Sequence, residues 1–474
     1  MKAETKEPKE NKSARLPKAF LPERYEIDMI FDHKTLKYDA EVNIDILVNE
    51  DSPKELVLNA LLNRYSIEAL SLIKTDENTK EEVEIAKTFM NDEEDERIYI
   101  VLDQDLKKDE KLQLKLKIKG KILYEKTYGL YYCFWDPEIQ QAFDAKPVED
   151  RNRLYERDWR KYSKDLIVSL TAESAEFRSL IPSFDEPNFK AVFSFNISFQ
   201  REYVESTPDF QCMSNGELLD SSLDEQTGLI TYEFADSKKM SSYLFTFVFG
   251  SYHIEETFVL DVLPVKERRN DNHFRLRVYL PPDRKEDGET SLRVGRIALK
   301  YFGKYFNYQY YHPKMDMVCL PNFDSRGLEC LGCIVFHNMA MLYGKDQAYN
   351  DKVDVTFTIC HETSHMWFGD LVTMDWWNDL WLNEAFARIF EYISLEQMHL
   401  VKIDVWERFV KNIFTVGLEA DEGAENHPIN VKVPSVREID TIFDNITYQK
   451  GGAVIRMLLN YVGYDAFKEA MRLY

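Results

Sequence analysis

Between about Tyr25 and Tyr252 the apolar residues of this chain keep a period of two. Ala40, Val42, Ile44, Ile46 and Val48 alternate with polar residues, as do Leu112, Leu114, Leu116 and Ile118, and again Phe193, Phe195, Ile197 and Phe199. Successive side chains of a strand point to opposite faces, so this alternation predicts sheets with one dry and one wet face, in a β-rich, sandwich-like domain. After one more strand-like stretch, Phe274 to Leu280, the period lengthens to that of a helix, beginning with Val294, Ile297, Ala298 and Tyr301. The change predicts two domains: a β-rich amino-terminal domain over residues 21–253 and a mainly helical domain over 254–474. Residues 1–20 open with a charged, Lys-rich stretch without periodicity and are expected to form a disordered tail. The chain stops at FKEAMRLY, inside an amphipathic pattern with no capping signal, so a longer version with further domains is expected.

With 474 residues, the chain exceeds what one hydrophobic core usually organises. Its formal net charge of −23 disfavours nucleic acid or an anionic membrane as partner. No run of about 18 apolar residues is present to span a bilayer, and the amino terminus lacks the apolar core of a secretory signal. Six irregularly spaced cysteines do not read as a disulfide framework. The expected location is therefore the cytoplasm, a reducing compartment. Cys330 and Cys333 form a lone C-x-x-C, read as ordinary buried thiols because neither a second pair nor a redox context accompanies them.

The chemistry concentrates in CHETSHMWFGD, where His361, Glu362 and His365 form an H-E-x-x-H arrangement behind a helix-compatible stretch, Val353 to Cys360. One helical turn puts both imidazoles on the same face, within reach of one metal ion, and Glu362 projects beside it. Catalytic zinc usually takes three protein ligands and keeps a fourth position for water. Glu384 follows His365 after eighteen residues, in WLNEAFARIFEYI, where Leu382, Phe386, Ile389 and Ile393 keep helical spacing. Two histidines and one glutamate from two helices make a site for one zinc ion, with net charge of about +1, enough to acidify a water toward neutrality.

The stretch HETSHMWFGDLVTMDWWNDLWLNEAFARIFEY resembles the gluzincin zinc aminopeptidases, the group of aminopeptidase N and puromycin-sensitive aminopeptidase, and the likeness runs from roughly Leu21 to Tyr474. It implies a thermolysin-like catalytic domain behind the β-rich one, and hydrolysis of amino-terminal residues from peptides with a free amino terminus. Glu362 would serve as general base, passing a water proton to the leaving amine. By resemblance, Arg326-Gly327-Leu328-Glu329-Cys330 stands where the family has its exopeptidase motif Gly-x-Met-Glu-Asn, and lines the substrate. Glu329 would grip the α-ammonium, and Glu173, in LTAESAEFRSLIPSFDEP, would be the second amine anchor. Tyr448, in NITYQKGGAVIRML, would donate its hydroxyl to the oxyanion. Asp370, Asp379 and Asn383 are candidates to orient the metal ligands, and each reads equally well as a helix cap or an exposed polar residue.

The chain departs from the family pattern at several of these positions. Arg326 replaces a glycine, Leu328 a methionine and Cys330 an asparagine. Arginine for glycine restricts the backbone and adds charge and bulk that must turn away or enter the cleft. The alternative reading is a weakened or inactive relative that serves as a peptide-binding or assembly module. Epoxide hydrolysis on the same scaffold, as in one branch of the family, is a further enzymatic alternative.

Overall fold

The computed structural model of the chain describes residues 15–75, 80–91, 96–124, 128–259, 262, 274–424 and 426–474. By its internal contacts the chain divides into two compact units, Met1–Ser251 and Tyr252–Tyr474.

The first unit is β-rich. Its largest sheet has eight strands, in the spatial order Leu218–Asp224, Leu229–Phe234, Val192–Gln200, Phe20–Asp32, Lys37–Val48, Lys111–Lys121, Tyr65–Thr75 and Lys80–Glu82. The strand Lys37–Val48 buries every second residue, so Tyr38, Ala40, Val42, Ile44, Ile46 and Val48 share the dry face. Phe20–Asp32 pairs antiparallel with it and parallel with Val192–Gln200, in a register that sets Phe31 beside Phe199. A four-stranded sheet, Phe210–Ser214, Thr246–Ser251, Leu166–Thr171 and Gly129–Phe134, packs against this dry face. The Phe195 and Phe247 rings stack at 5.0 Å and the Phe199 and Phe249 rings meet edge-on at 4.8 Å, which joins the two sheets into a sandwich. Fully burying one such phenylalanine ring contributes about 1.5–3 kcal/mol.

Residues 1–14 of the expected tail lie outside the described residues. The remainder does not behave as a tail: Arg15 Nε donates to Glu186 Oε2 at 2.8 Å, Leu16 N donates to the other oxygen of the same carboxylate, and Leu16 is buried. A charged stretch without periodicity is held here by a single buried carboxylate, which no periodicity reports.

The second unit is mainly helical, with long helices over Glu289–Tyr305, Tyr349–His365, Trp381–Met398 and Gly451–Val462. It also carries a five-stranded mixed sheet in the order His253–Val259, Phe274–Leu280, Lys314–Leu320, Cys333–His337 and Gly327–Leu328. Lys314–Leu320 is buried at all seven positions, so it shows no alternation. Its Asp316 is satisfied internally by Arg277, at 2.8 and 3.1 Å, and by Lys314, at 2.7 Å. The short strand Gly327–Leu328 closes the sheet as an edge, pairing antiparallel with Phe336 and Val335.

Candidate metal centre and active site

The helix Tyr349–His365 begins where Asp351 Oδ2 accepts from Ala348 N at 3.0 Å, and it ends at His365 itself. Its last turn, His361 to His365, is buried throughout. Four-residue spacing brings His361 Nε2 and His365 Nε2 to 3.1 Å. A short 3-10 turn, Trp377–Asp379, leads into the helix Trp381–Met398, whose first turn carries Glu384. Glu384 Oε2 lies 3.3 Å from His361 Nε2 and 3.4 Å from His365 Nε2. A tetrahedral ion with bonds of about 2.0–2.1 Å holds its ligand atoms about 3.3–3.4 Å apart, so this triangle has the dimensions zinc requires. Two imidazoles and one carboxylate also suit zinc better than magnesium or calcium, which prefer oxygen shells.

The electrostatics favour a cation. Burial alone would push both imidazoles down, but Glu384 and Glu391 around His361 outweigh it and push that ring up. Around His365, burial is outweighed in the same direction by Glu329, Glu384 and Glu362. Burial opposes ionisation of Glu384 as well, yet the two imidazoles hold its carboxyl well below the usual range. Glu362 is pushed up to about 7, mainly by burial, against the pull of both imidazoles. Burial also raises the Glu329 carboxyl, whose Oε1 is enclosed and accepts no hydrogen bond among the described residues. Glu329, Glu362 and His365 bring ligand-type atoms within 4.8 Å of one another.

Partners on the far side of each imidazole set its orientation. His365 Nδ1 lies 2.9 Å from Phe368 O, which points Nε2 toward Glu384. Glu391 Oε2 lies 3.2 Å from His361 Nδ1, and Arg388 Nη1 grips both Glu391 oxygens at 2.9 and 3.1 Å. The Arg388 guanidinium also sits over the Tyr448 ring, 5.5 Å from its centroid. Tyr448 stands in a π-helical turn, Ile446–Lys450, with its ring centroid 6.3 Å from that of His361. Wide turns of this kind recur at functional sites because they redirect one side chain out of helical register.

Glu391 and Arg388 escaped the sequence reading, although Glu391 falls seven residues, or two turns, after Glu384 on the same helix face. Asp379 bonds with Asn378 at 2.9 Å and with Asn430 at 2.5 Å. Asp370 and Asn383 are buried, and the Asp370 N–H donates to His365 O at 3.0 Å. Of the exopeptidase-like stretch, Leu328, Glu329 and Cys330 are buried. A side chain on Gly327 would overlap the Glu362 carboxylate, so glycine lets the edge strand pass directly beside it. Arg326 is exposed and turned outward: Nε and Nη2 donate to Thr358 Oγ1 at 3.1 and 2.9 Å, on the flank of the histidine-bearing helix. Glu173 is half-buried and belongs to the first unit, two residues after the strand Leu166–Thr171.

Two family descriptions match the chain in series: the peptidase M1 N-terminal domain over residues 21–244 and the peptidase family M1 domain over 291–474. The chain belongs to peptidase family M1. It is 31% identical over 461 residues to aminopeptidase M1 of Arabidopsis thaliana, covering 97% of this chain and 47% of that protein. It is 29% identical over 473 residues to aminopeptidase A of Gloydius brevicauda, covering 97% and 43%. A probable M1 family aminopeptidase of Encephalitozoon cuniculi is 36% identical over 316 residues, covering 65% and 34%. The chain thus spans about half the length of the curated relatives it matches. The order of the two M1 domains agrees with the β-rich unit followed by the mainly helical one. No described helix is long and apolar enough to cross a membrane.

Proposed function

We propose that the chain is a zinc-dependent aminopeptidase, holding one zinc ion through His361, His365 and Glu384 and removing single residues from peptides with a free amino terminus. The observation that carries this reading is the triangle of 3.1, 3.3 and 3.4 Å edges made by two imidazoles and a carboxylate, with a second buried carboxyl, Glu362, beside it. The names of the relatives support the substrate class.

Zinc, when bound, would supply Lewis acidity to the scissile carbonyl and to a water. Glu362 would take a proton from that water on its carboxylate and deliver it to the departing amine nitrogen, a task suited to a carboxyl whose buried site raises its proton affinity. Tyr448 would donate its hydroxyl to the developing oxyanion. Glu329 Oε1, enclosed and accepting no hydrogen bond among the described residues, is suited to receive an α-ammonium. An acetylated amino terminus brings no positive charge to that carboxylate, which explains exopeptidase selection physically. The edge strand Gly327–Leu328 could pair with an extended peptide through its backbone. Six cysteines, all free and buried, fit a reducing compartment and favour the cytoplasm as the site of action.

The test is turnover of amino-acid anilides by zinc-loaded protein, beside Glu362→Gln and beside amino-acetylated peptides. Turnover that persists in Glu362→Gln, or efficient cleavage of acetylated peptides, would sink the proposal. Zinc binding without any turnover in the wild type would favour the peptide-binding module.

A further inference from the structure

The turn that carries Tyr448 is held at both ends by side chains that are not metal ligands and do not border the metal position. At its start, Asp444 Oδ1 accepts from Ile446 N and Thr447 N at 3.0 Å each, and Asp444 O accepts from Tyr448 N at 3.0 Å. The other carboxylate oxygen, Oδ2, lies 2.8 Å from His427 Nε2, while His427 Nδ1 lies 2.8 Å from Pro428 O. The ring thus has one nitrogen against the carboxylate and the other against a backbone carbonyl, and it is largely sheltered, with its side chain 17% exposed. At the other end of the turn, Lys450 Nζ pairs with Asp421 Oδ1. Asp421 is itself tied back by Asn426 Nδ2, which donates to its carbonyl at 2.6 Å. Gly417, one turn before Asp421, packs against the Lys450 backbone so closely that an added Cβ would stand 2.8 Å from Lys450 N.

A π-helical turn is a strained insertion in a helix and needs outside support to keep its register. Asp444 supplies the cap, and His427 orients the cap. Losing His427 would release Oδ2 and let the whole carboxylate rotate, carrying Oδ1 away from the Ile446 and Thr447 amides, so that the turn relaxes toward ordinary helix. Such a relaxation changes the direction in which Tyr448 projects, because the π turn contains one more residue than an α turn.

We infer that His427 and Asp421 are positioning residues for the reaction: together they clamp the two ends of the Ile446–Lys450 turn and so aim the Tyr448 hydroxyl. The inference rests on the proposed role of Tyr448. The chemistry depends on this aim because a displacement of about 1 Å in a catalytic group can cost about 100-fold in rate.

The experiment is a double-mutant cycle on the zinc-loaded protein. It uses wild type, His427→Ala, Tyr448→Phe and the combination, measuring kcat and KM on an amino-acid anilide, zinc content, and amide exchange at Ile446 and Thr447. Tyr448→Phe should lower kcat by about 100-fold or more. His427→Ala should lower kcat by at least about tenfold, with KM and zinc content nearly unchanged, and should speed exchange at both amides. In the Tyr448→Phe background it should cost nothing further, because there is no hydroxyl left to aim. His427→Gln, which can still offer an N–H to Asp444, should recover part of the loss. Equal losses in both backgrounds, or unchanged exchange at the two amides, would overturn the clamp while leaving the proposed function intact. If Tyr448→Phe itself keeps full kcat, the assigned role of Tyr448 fails instead, and the clamp with it. Should His427→Ala fail to fold, Asp421→Asn, which removes only the ion pair with Lys450, carries the same cycle.

Discussion

Glu391 Oε2 stands 3.2 Å from His361 Nδ1, the ring nitrogen opposite the one that faces Glu384. A carboxylate there fixes the tautomer of the imidazole and raises its basicity toward a metal. Glu391→Gln should weaken zinc affinity by about 10- to 100-fold, measured by competition with a chelator of known affinity. An affinity equal to wild type would show that the Arg388 pairing alone accounts for this residue.

Metal binding and proton transfer should separate cleanly in two variants. His365→Ala removes one corner of the triangle and should abolish stoichiometric zinc in elemental analysis. Glu362→Gln keeps all three ligands and should retain zinc while losing nearly all turnover. Stripping zinc from the wild type should lower the thermal midpoint, since a ligand bound only by the folded state stabilises it. A midpoint indifferent to chelation would contradict tight binding at this site.

Arg326 is held on Thr358, away from the edge strand's neighbour Glu362. The substitution that looked most obstructive in the sequence therefore removes its own bulk. Arg326→Gly should change kcat/KM on amino-acid anilides by less than about tenfold, with zinc content unchanged. A gain well beyond that would mean the guanidinium swings into the path of the substrate in solution.

Asp316 gives the second unit a dependence on acid. Burial opposes its ionisation, but Lys314 and Arg277 outweigh it, so the folded-state carboxyl lies below its ordinary value of 3.8. A depressed carboxylate contributes stability that is fully present above its unfolded value and is lost as pH falls through the folded one. Denaturation midpoints should thus drop as pH decreases below about 4. Asp316→Asn should cost about 3–5 kcal/mol at neutral pH, because Lys314 and Arg277 keep their buried charges without this carboxylate. Its midpoint should then vary less between about pH 4 and 2 than that of the wild type. Parallel curves for the two proteins would show that other carboxylates govern the acid response.

How far the sequence could be read depended on whether a signal was local. Lys37–Val48 alternates because one of its faces is wet, and a strand of that kind announces itself. Lys314–Leu320 is buried on both faces, so its two charged residues look like breaks in a pattern when they are in fact the two ends of a buried pair. His361 and His365 share one helix, and four-residue spacing alone brings their rings together. The proximity of Glu391 to His361 depends on how two helices cross, which no spacing in one segment encodes. The outward turn of Arg326 depends on a rotamer and on one threonine, 32 positions later in the chain.

Gly451 opens the helix that follows the Tyr448 turn, and a methyl group there would stand 2.6 Å from the Ala385 Cβ, one residue beyond Glu384. The spacing between these two helices is thus set by a missing atom. A backbone set directly on a methyl group leaves no longer side chain between the helices to slide or compress. The first turn of the helix Gly451–Val462 and the turn of Trp381–Met398 that carries Glu384 should therefore move together. Any shift of Tyr448 relative to Glu384 then has to come from the turn Ile446–Lys450 and not from this pair of helices.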